Sequence, residues 1–238
     1  VVNLFPVADN ERVTAMLTTR KATEDSYMVF GTRRGEVKKT RAANYANVRA
    51  SGIIAMNLEA KDELINVVIA TDEDDIIMVT SRGQSIRFNI SELRSSSRTS
   101  GGVIGIRLGK DDDVVSLSLV NEDAFLLTVT CNGHGKLTKM DNYPRQHRAG
   151  SGVITLKTTD KTGDVCDAKL VTQSQQLVII SAEGIITRIS VQEKDSGQGI
   201  PIYTRYAKGV WLMRPQPGDC IVAIANFDIG EVEEIITP

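Results

Sequence analysis

The residues in this chain best suited to do chemistry are basic, and they recur. Lys39, Arg87, Lys139 and Arg188 each stand four places after a glycine (Gly35, Gly83, Gly135 and Gly184), and these glycines return about every fifty residues. A second series lies in the polar connection that follows. Arg98, Arg148 and Arg205 stand four places before another recurring glycine (Gly102, Gly152 and Gly209), and Arg49 stands three before Gly52. Arg145 and Lys208 add charge to the same connections. A guanidinium is a planar fork of donors that matches phosphate oxygens, and an ammonium is a compact point charge. Small Ser and Gly neighbours let backbone N–H groups approach the same oxygens. One such loop would be an ordinary solvated surface. Four in register predict a ring of positive charge that suits a long polyanion.

A ring needs a scaffold that repeats. Each unit offers four short apolar runs of strand length, bounded by turn residues. In the first full copy these are Tyr27 to Thr32, Glu36 to Arg41, Gly52 to Leu58 and Leu64 to Ala70. The first two runs are joined by a tight turn whose glycine supplies positive φ. An acidic residue (Glu63, Asp113, Asp164 or Asp219) precedes the fourth run and reads as a loop or cap carboxylate. Four strands per unit of about fifty residues describe an all-β, propeller-like array of four-stranded blades, because one unit cannot bury its own apolar face. The expected organisation is a partial blade over 1–20, then blades over about 27–70, 76–120, 125–171 and 177–226. Residues 228–238 read as an acidic tail, within one domain over 1–227.

Composition narrows the function. The net charge is −2, so a nucleic-acid role would rest on a local stripe and not on the average. Aromatics are only 5% of the chain, which makes the core aliphatic. Cys131, Cys166 and Cys220 include no CxxC pair and read as buried free thiols. No run approaches the roughly 20 apolar residues of a membrane helix. No phosphate-cradling or nucleophile-elbow motif is present, and no catalytic constellation, metal or cofactor is expected. Trp211 reads as a core residue and His134 as an exposed, inert turn residue. Tyr45 and Tyr143 read as packing between loop and blade.

The run from Asn132 to Lys157, NGHGKLTKMDNYPRQHRAGSGVITLK, together with Arg98 to Leu108 and Val1 to Pro6, resembles the C-terminal domain of the bacterial DNA gyrase A protein. The resemblance reaches from the start of the chain to about Asn226. It implies a β-pinwheel whose blades exchange a strand with a neighbour, and duplex DNA wrapped on the rim. It also implies a parent type IIA topoisomerase in the bacterial cytoplasm, with a cleavage domain and an ATPase partner, the gyrase B protein. On that reading the chain is itself non-catalytic and has no membrane partner. The family's QRRGGKG box is absent; Gln146 to Gly152 is a degenerate version. The chain also lacks an initiating Met, so it reads as a fragment without the box-bearing blade. The C-terminal domain of the equivalent topoisomerase IV protein ranks second, and a protein-binding propeller is an alternative of another class. An enzyme with its site at the disc centre has the least support, because the innermost strands read as aliphatic.

Overall fold

The structure is a computed structural model that describes residues 13–17, 23–48, 52–192 and 199–228. The expected partial blade and the acidic tail fall almost wholly outside the described residues, as does Arg49. In chain order the strands are β1 (Tyr27–Thr32), β2 (Glu36–Arg41), β3 (Leu64–Ala70), β4 (Asp75–Thr80), β5 (Gln84–Asn89), β6 (Val103–Ile104), β7 (Val114–Leu119) and β8 (Phe125–Thr130). They continue as β9 (His134–Lys139), β10 (Val153–Ile154), β11 (Val165–Val171), β12 (Gln175–Ser181), β13 (Ile186–Ser190), β14 (Val210–Trp211) and β15 (Ile221–Asp228).

The strands form four antiparallel sheets in a propeller arrangement, with orders β3-β1-β2-β6, β10-β5-β4-β7, β11-β8-β9-β14 and β13-β12-β15. The outer strand of each complete sheet comes from the following unit: β6 pairs with β2, β10 with β5 and β14 with β9. The third apolar run of a unit therefore completes its neighbour's sheet. That run is shorter than its apolar pattern suggests, two ladder residues in each case, and Gly52 to Leu58 forms no strand among the described residues.

Each pair of adjacent sheets shares one core. Ile76 and Met78 of β4 join Val29, Val37 and Leu117 in the first. The alternate residues Ile77 and Val79 join Leu126, Tyr143 and Leu156 in the second. Leu127, Leu137, Leu177 and Ile179 belong to the third. A middle strand thus feeds two cores, which is why β4 is buried at every position. Strands covered on both faces lose the in-out alternation that a one-sided sheet shows.

The hub is stitched by polar side chains on the inner strands. Asn66 donates to the Leu117 carbonyl at 3.0 Å and Ser116 to that of Ala168 at 2.6 Å. Asp167 accepts from the Ile224 N–H at 3.4 Å. The inner strands are therefore less purely aliphatic than expected, and these polar groups join each blade to the next. Burial pushes the Asp167 carboxyl above the usual carboxylate range against the pull of Lys169. Further links run from the hairpin turns. Arg33 lies 2.9 Å from Asp113 and 3.7 Å from Glu63, and Arg82 lies 3.1 Å from Asp164. Three of the acidic residues before the inner strands are therefore ion-pair partners of turn arginines.

Candidate nucleic-acid interface

The hairpin turns define the register of the basic residues. In each, a hydroxyl three places before the turn glycine accepts the N–H of the residue after it: Thr32 from Glu36, Thr80 from Gln84, Thr130 from His134 and Ser181 from Ile185. The matching glycines have positive φ and are Gly35, Gly83, Gly133 and Gly184. The third turn therefore uses the first glycine of Gly133-His134-Gly135. Gly135 instead sits in the ladder, where a Cβ would meet the Leu212 side chain at 2.4 Å. This corrects the expected register: the third counterpart of Lys39, Arg87 and Arg188 is Leu137, a core residue, and Lys139 lies two places further on. The recurring Thr, present in the sequence, was the signal that separates the two glycines.

The first two members of the expected ring are not free charges. Lys39 is 4% exposed; its ammonium lies 2.5 Å from Asp72 and donates to the Ile90 carbonyl at 3.0 Å. The hydrogen bond from Lys39 holds the Asp72 carboxyl below its usual range. Arg87 is 9% exposed and is bonded to Asp75 at 2.8 Å and to Glu122. Arg145 reaches the same Asp75 at 2.9 Å from the next unit, with its own side chain largely in solvent. Burial alone would raise the Asp75 carboxyl, but hydrogen bonds from Arg87, Arg145 and Asn89 outweigh it and hold the group low. The physical reason for the correction is the propeller itself. The following unit packs over Lys39 of β2 and over Arg87 of β5, and each cation is buried there with a carboxylate partner.

The loop arginines share a geometry. Arg98 donates to the carbonyl of Ile54 at 2.9 Å, Arg148 to that of Ile104 at 2.9 Å and Arg205 to that of Ile154 at 3.1 Å. Each ties down the third apolar run of the preceding unit, and each is half-buried. None of the three guanidinium groups has a carboxylate partner among the described residues, although the Arg148 backbone N–H donates to Glu92 at 3.2 Å. Lys139, Lys208 and Arg188 are exposed and likewise lack one; Arg188 is bonded to Gln176 and lies over the Phe227 ring at 5.1 Å.

Two buried lysines support these loops from beneath, and the uncorrected register hid their equivalence. Lys38 donates to the carbonyls of Ala55 at 3.0 Å and Arg98 at 2.5 Å. Lys136 donates to those of Thr204 at 2.5 Å and Arg205 at 2.7 Å. Burial, with the nearby Arg98 or Arg205 charge, lowers each ammonium to about 8. Both stand three places after their turn glycine, where the second unit has Ile86.

Other expected roles change with the geometry. Trp211 is 41% exposed and is not a core residue. His134 is buried beneath it, with ring centroids 3.8 Å apart. Tyr143 is buried and shares a hydrogen bond with Thr155, and Tyr45 donates to the Ala55 carbonyl at 3.0 Å, so both pack loop on blade. The three cysteines are free and partly exposed.

A repeat of four-stranded blades with exchanged outer strands and arginine-bearing rim loops has a known counterpart. The family model described as DNA gyrase C-terminal domain, beta-propeller, matches residues 26–71, 74–121 and 124–171, more than half of the chain. The chain belongs to this family. Among relatives of the gyrase C-terminal domain family, the DNA gyrase A protein of Dehalogenimonas lykanthroporepellens is 43% identical over 227 residues, 95% of this chain. That of Clostridium acetobutylicum is 45% identical over 235 residues, 99% of this chain. The chain spans 28% of the length of each of these relatives. Among solved structures, the C-terminal domain of DNA topoisomerase IV superposes with a TM-score of 0.85 at 21% identity, covering 99% of this chain and 75% of that one. The DNA gyrase A C-terminal domain gives 0.82 at 23% identity, covering 94% and 73%. These two likenesses show the fold alone; the sequence relatives are gyrase A proteins.

Proposed function

We propose that this chain is the non-catalytic DNA-binding and DNA-wrapping module of a DNA gyrase A protein. The observation that carries the reading is the recurrence of Arg98, Arg148 and Arg205 at equivalent rim positions. Each guanidinium is without a carboxylate partner among the described residues, and Lys139, Arg188 and Lys208 are exposed. These groups neutralise phosphates along a curved path and release counterions, which is a sequence-independent source of affinity. Bending a 20–30 base-pair segment costs on the order of 1–6 kcal/mol, and the added phosphate contacts offset it. Lys39 and Arg87 support the path from within the blades.

In the holoenzyme the wrap presents a crossing of fixed hand to the cleavage domain. The ATPase partner, the gyrase B protein, drives strand passage, so that the whole bacterial cytoplasmic assembly introduces negative supercoils. The chain's own residues bind and orient DNA and carry out no bond chemistry.

Titration of random duplex DNA at several salt concentrations tests the reading. Binding with a log–log salt slope of several units is expected, reduced by about 0.9 for each rim cation replaced by Ala. Relaxation of plasmid by a type I enzyme in the presence of the chain should then trap writhe of one sign. Absence of duplex binding at low salt would overturn the reading.

A further inference from the structure

The outer strands carry matching residues in three units: Val103-Ile104, Val153-Ile154 and Val210-Trp211. The last departs from the pattern, and so does the connection that leads into it. Trp211, the sole tryptophan of the chain, is exposed, and the Arg214 guanidinium lies 5.5 Å from its ring. Tyr206 is 61% exposed, with the Arg205 guanidinium 5.3 Å from its ring. Tyr203 is exposed as well, and the exposed Lys208 lies between the two aromatic–cation pairs in sequence. None of Arg205, Lys208 and Arg214 forms a salt bridge among the described residues. The loops of the second and third units hold no exposed aromatic; Tyr143, at the start of the third, is buried.

Beneath the indole, the His134 ring is buried and its Nδ1 has no hydrogen-bond partner. The imidazole packs against the indole, and burial with the Lys161 charge lowers its pKa. An aromatic face flanked by unpaired cations has the character of a nucleic-acid contact, because cations take phosphates while flat apolar faces take sugars and bases. A protein partner would need acidic groups to match three unpaired cations at once.

We infer that Trp211 and Tyr206 contact the minor groove of duplex DNA, making the fourth unit a point of local DNA deformation in a path held elsewhere by charge. This rests on the DNA-binding reading above. Apolar side chains pressed into the minor groove partly unstack a base step and kink the duplex, whereas phosphate contacts alone bend it smoothly. The contact adds affinity that does not scale with salt.

The single tryptophan makes the test direct. Random duplex DNA is titrated into the 238-residue chain while indole emission and the anisotropy of end-labelled DNA are followed together. Emission is expected to be quenched in step with binding, and distamycin, a minor-groove ligand, to reverse the quench. Trp211→Ile, which installs the residue found at this place in the other units, should weaken binding about tenfold with the salt slope unchanged. Tyr206→Ala should give a smaller loss of the same kind. Circular dichroism of Trp211→Ile confirms the fold independently. Full affinity in folded Trp211→Ile, or an unchanged emission while anisotropy reports binding, would overturn the inference and leave the DNA-binding reading standing. An emission change that follows protein concentration without DNA, with dimers in sedimentation, would assign the patch to self-association and overturn it too. No DNA binding by the unaltered chain would overturn both.

Discussion

At the position four places after the turn glycine, the first two blades and the last two treat positive charge in opposite ways. Lys39 and Arg87 lie buried between sheets, neutralised by Asp72, Asp75 and Glu122. In the third blade the equivalent place is Leu137, and Lys139 has moved out to the surface; in the fourth, Arg188 is exposed. A cation at a repeated sequence position is therefore not a repeated surface charge. What decides is whether a neighbouring sheet covers the position, and at this position a covered cation keeps a carboxylate partner.

The largest effect should come from breaking the buried half of this contrast. Asp75→Asn leaves Arg87 without its inner carboxylate, and removing one partner of a buried pair costs about 3 kcal/mol or more. A urea midpoint within error of the parent would dissolve the distinction between the two halves. The sign with acid is fixed as well. The folded Asp75 pKa is depressed, so its contribution is full above the unfolded carboxylate value and is lost as pH falls through the folded value. The parent should lose more stability below about pH 4 than Asp75→Asn does.

Next comes the pair of lysines beneath the loops. Lys38 and Lys136 fall from 10.5 to about 8 on folding. Between these values the unfolded chain binds more protons, so stability should rise as pH increases from about 8 to about 10. Lys38→Met with Lys136→Met should flatten that rise in denaturant titrations, and an equally steep rise in the double variant would refute the assignment.

The exposed half predicts the reverse pattern of effects. Lys139→Ala and Lys208→Ala should each lower the salt slope of DNA binding by about 0.9 and leave stability within about 0.5 kcal/mol. Lys39→Ala should do the opposite, losing stability with the slope intact. The smallest effect belongs to the turn link. Arg33→Ala breaks pairs whose side chains are about half exposed, so less than about 1 kcal/mol is expected, and less still in high salt.

The repeat, the hairpins and the inner strands were legible because Gly and runs of Val and Ile mark them directly. The strand exchange followed from the resemblance and not from pattern, since Val103-Ile104 looks the same whichever sheet receives it. Exposure was the least legible quantity. Two-sided burial removes alternation, so Lys38 and Lys39 are both buried although they are consecutive in a strand. One extra glycine in Gly133-His134-Gly135 moved the inferred register by two places and put Lys139 where Leu137 belongs. Trp211 was misread by homology with Ile154, because an outermost two-residue strand leaves both of its side chains partly in solvent.

Completing each sheet with a strand from the following unit gives the chain a polarity under truncation. Deleting the last unit would remove one sheet and also strip β14 from the sheet before it, baring the edge of β9. Deleting residues 27–70, the first full unit, would leave the next sheet intact, because β4, β5, β7 and β10 all lie further along the chain. Loss from the C-terminal side is therefore the more damaging to the sheets that remain, and a product shortened there ends in an open ladder that invites strand-to-strand association.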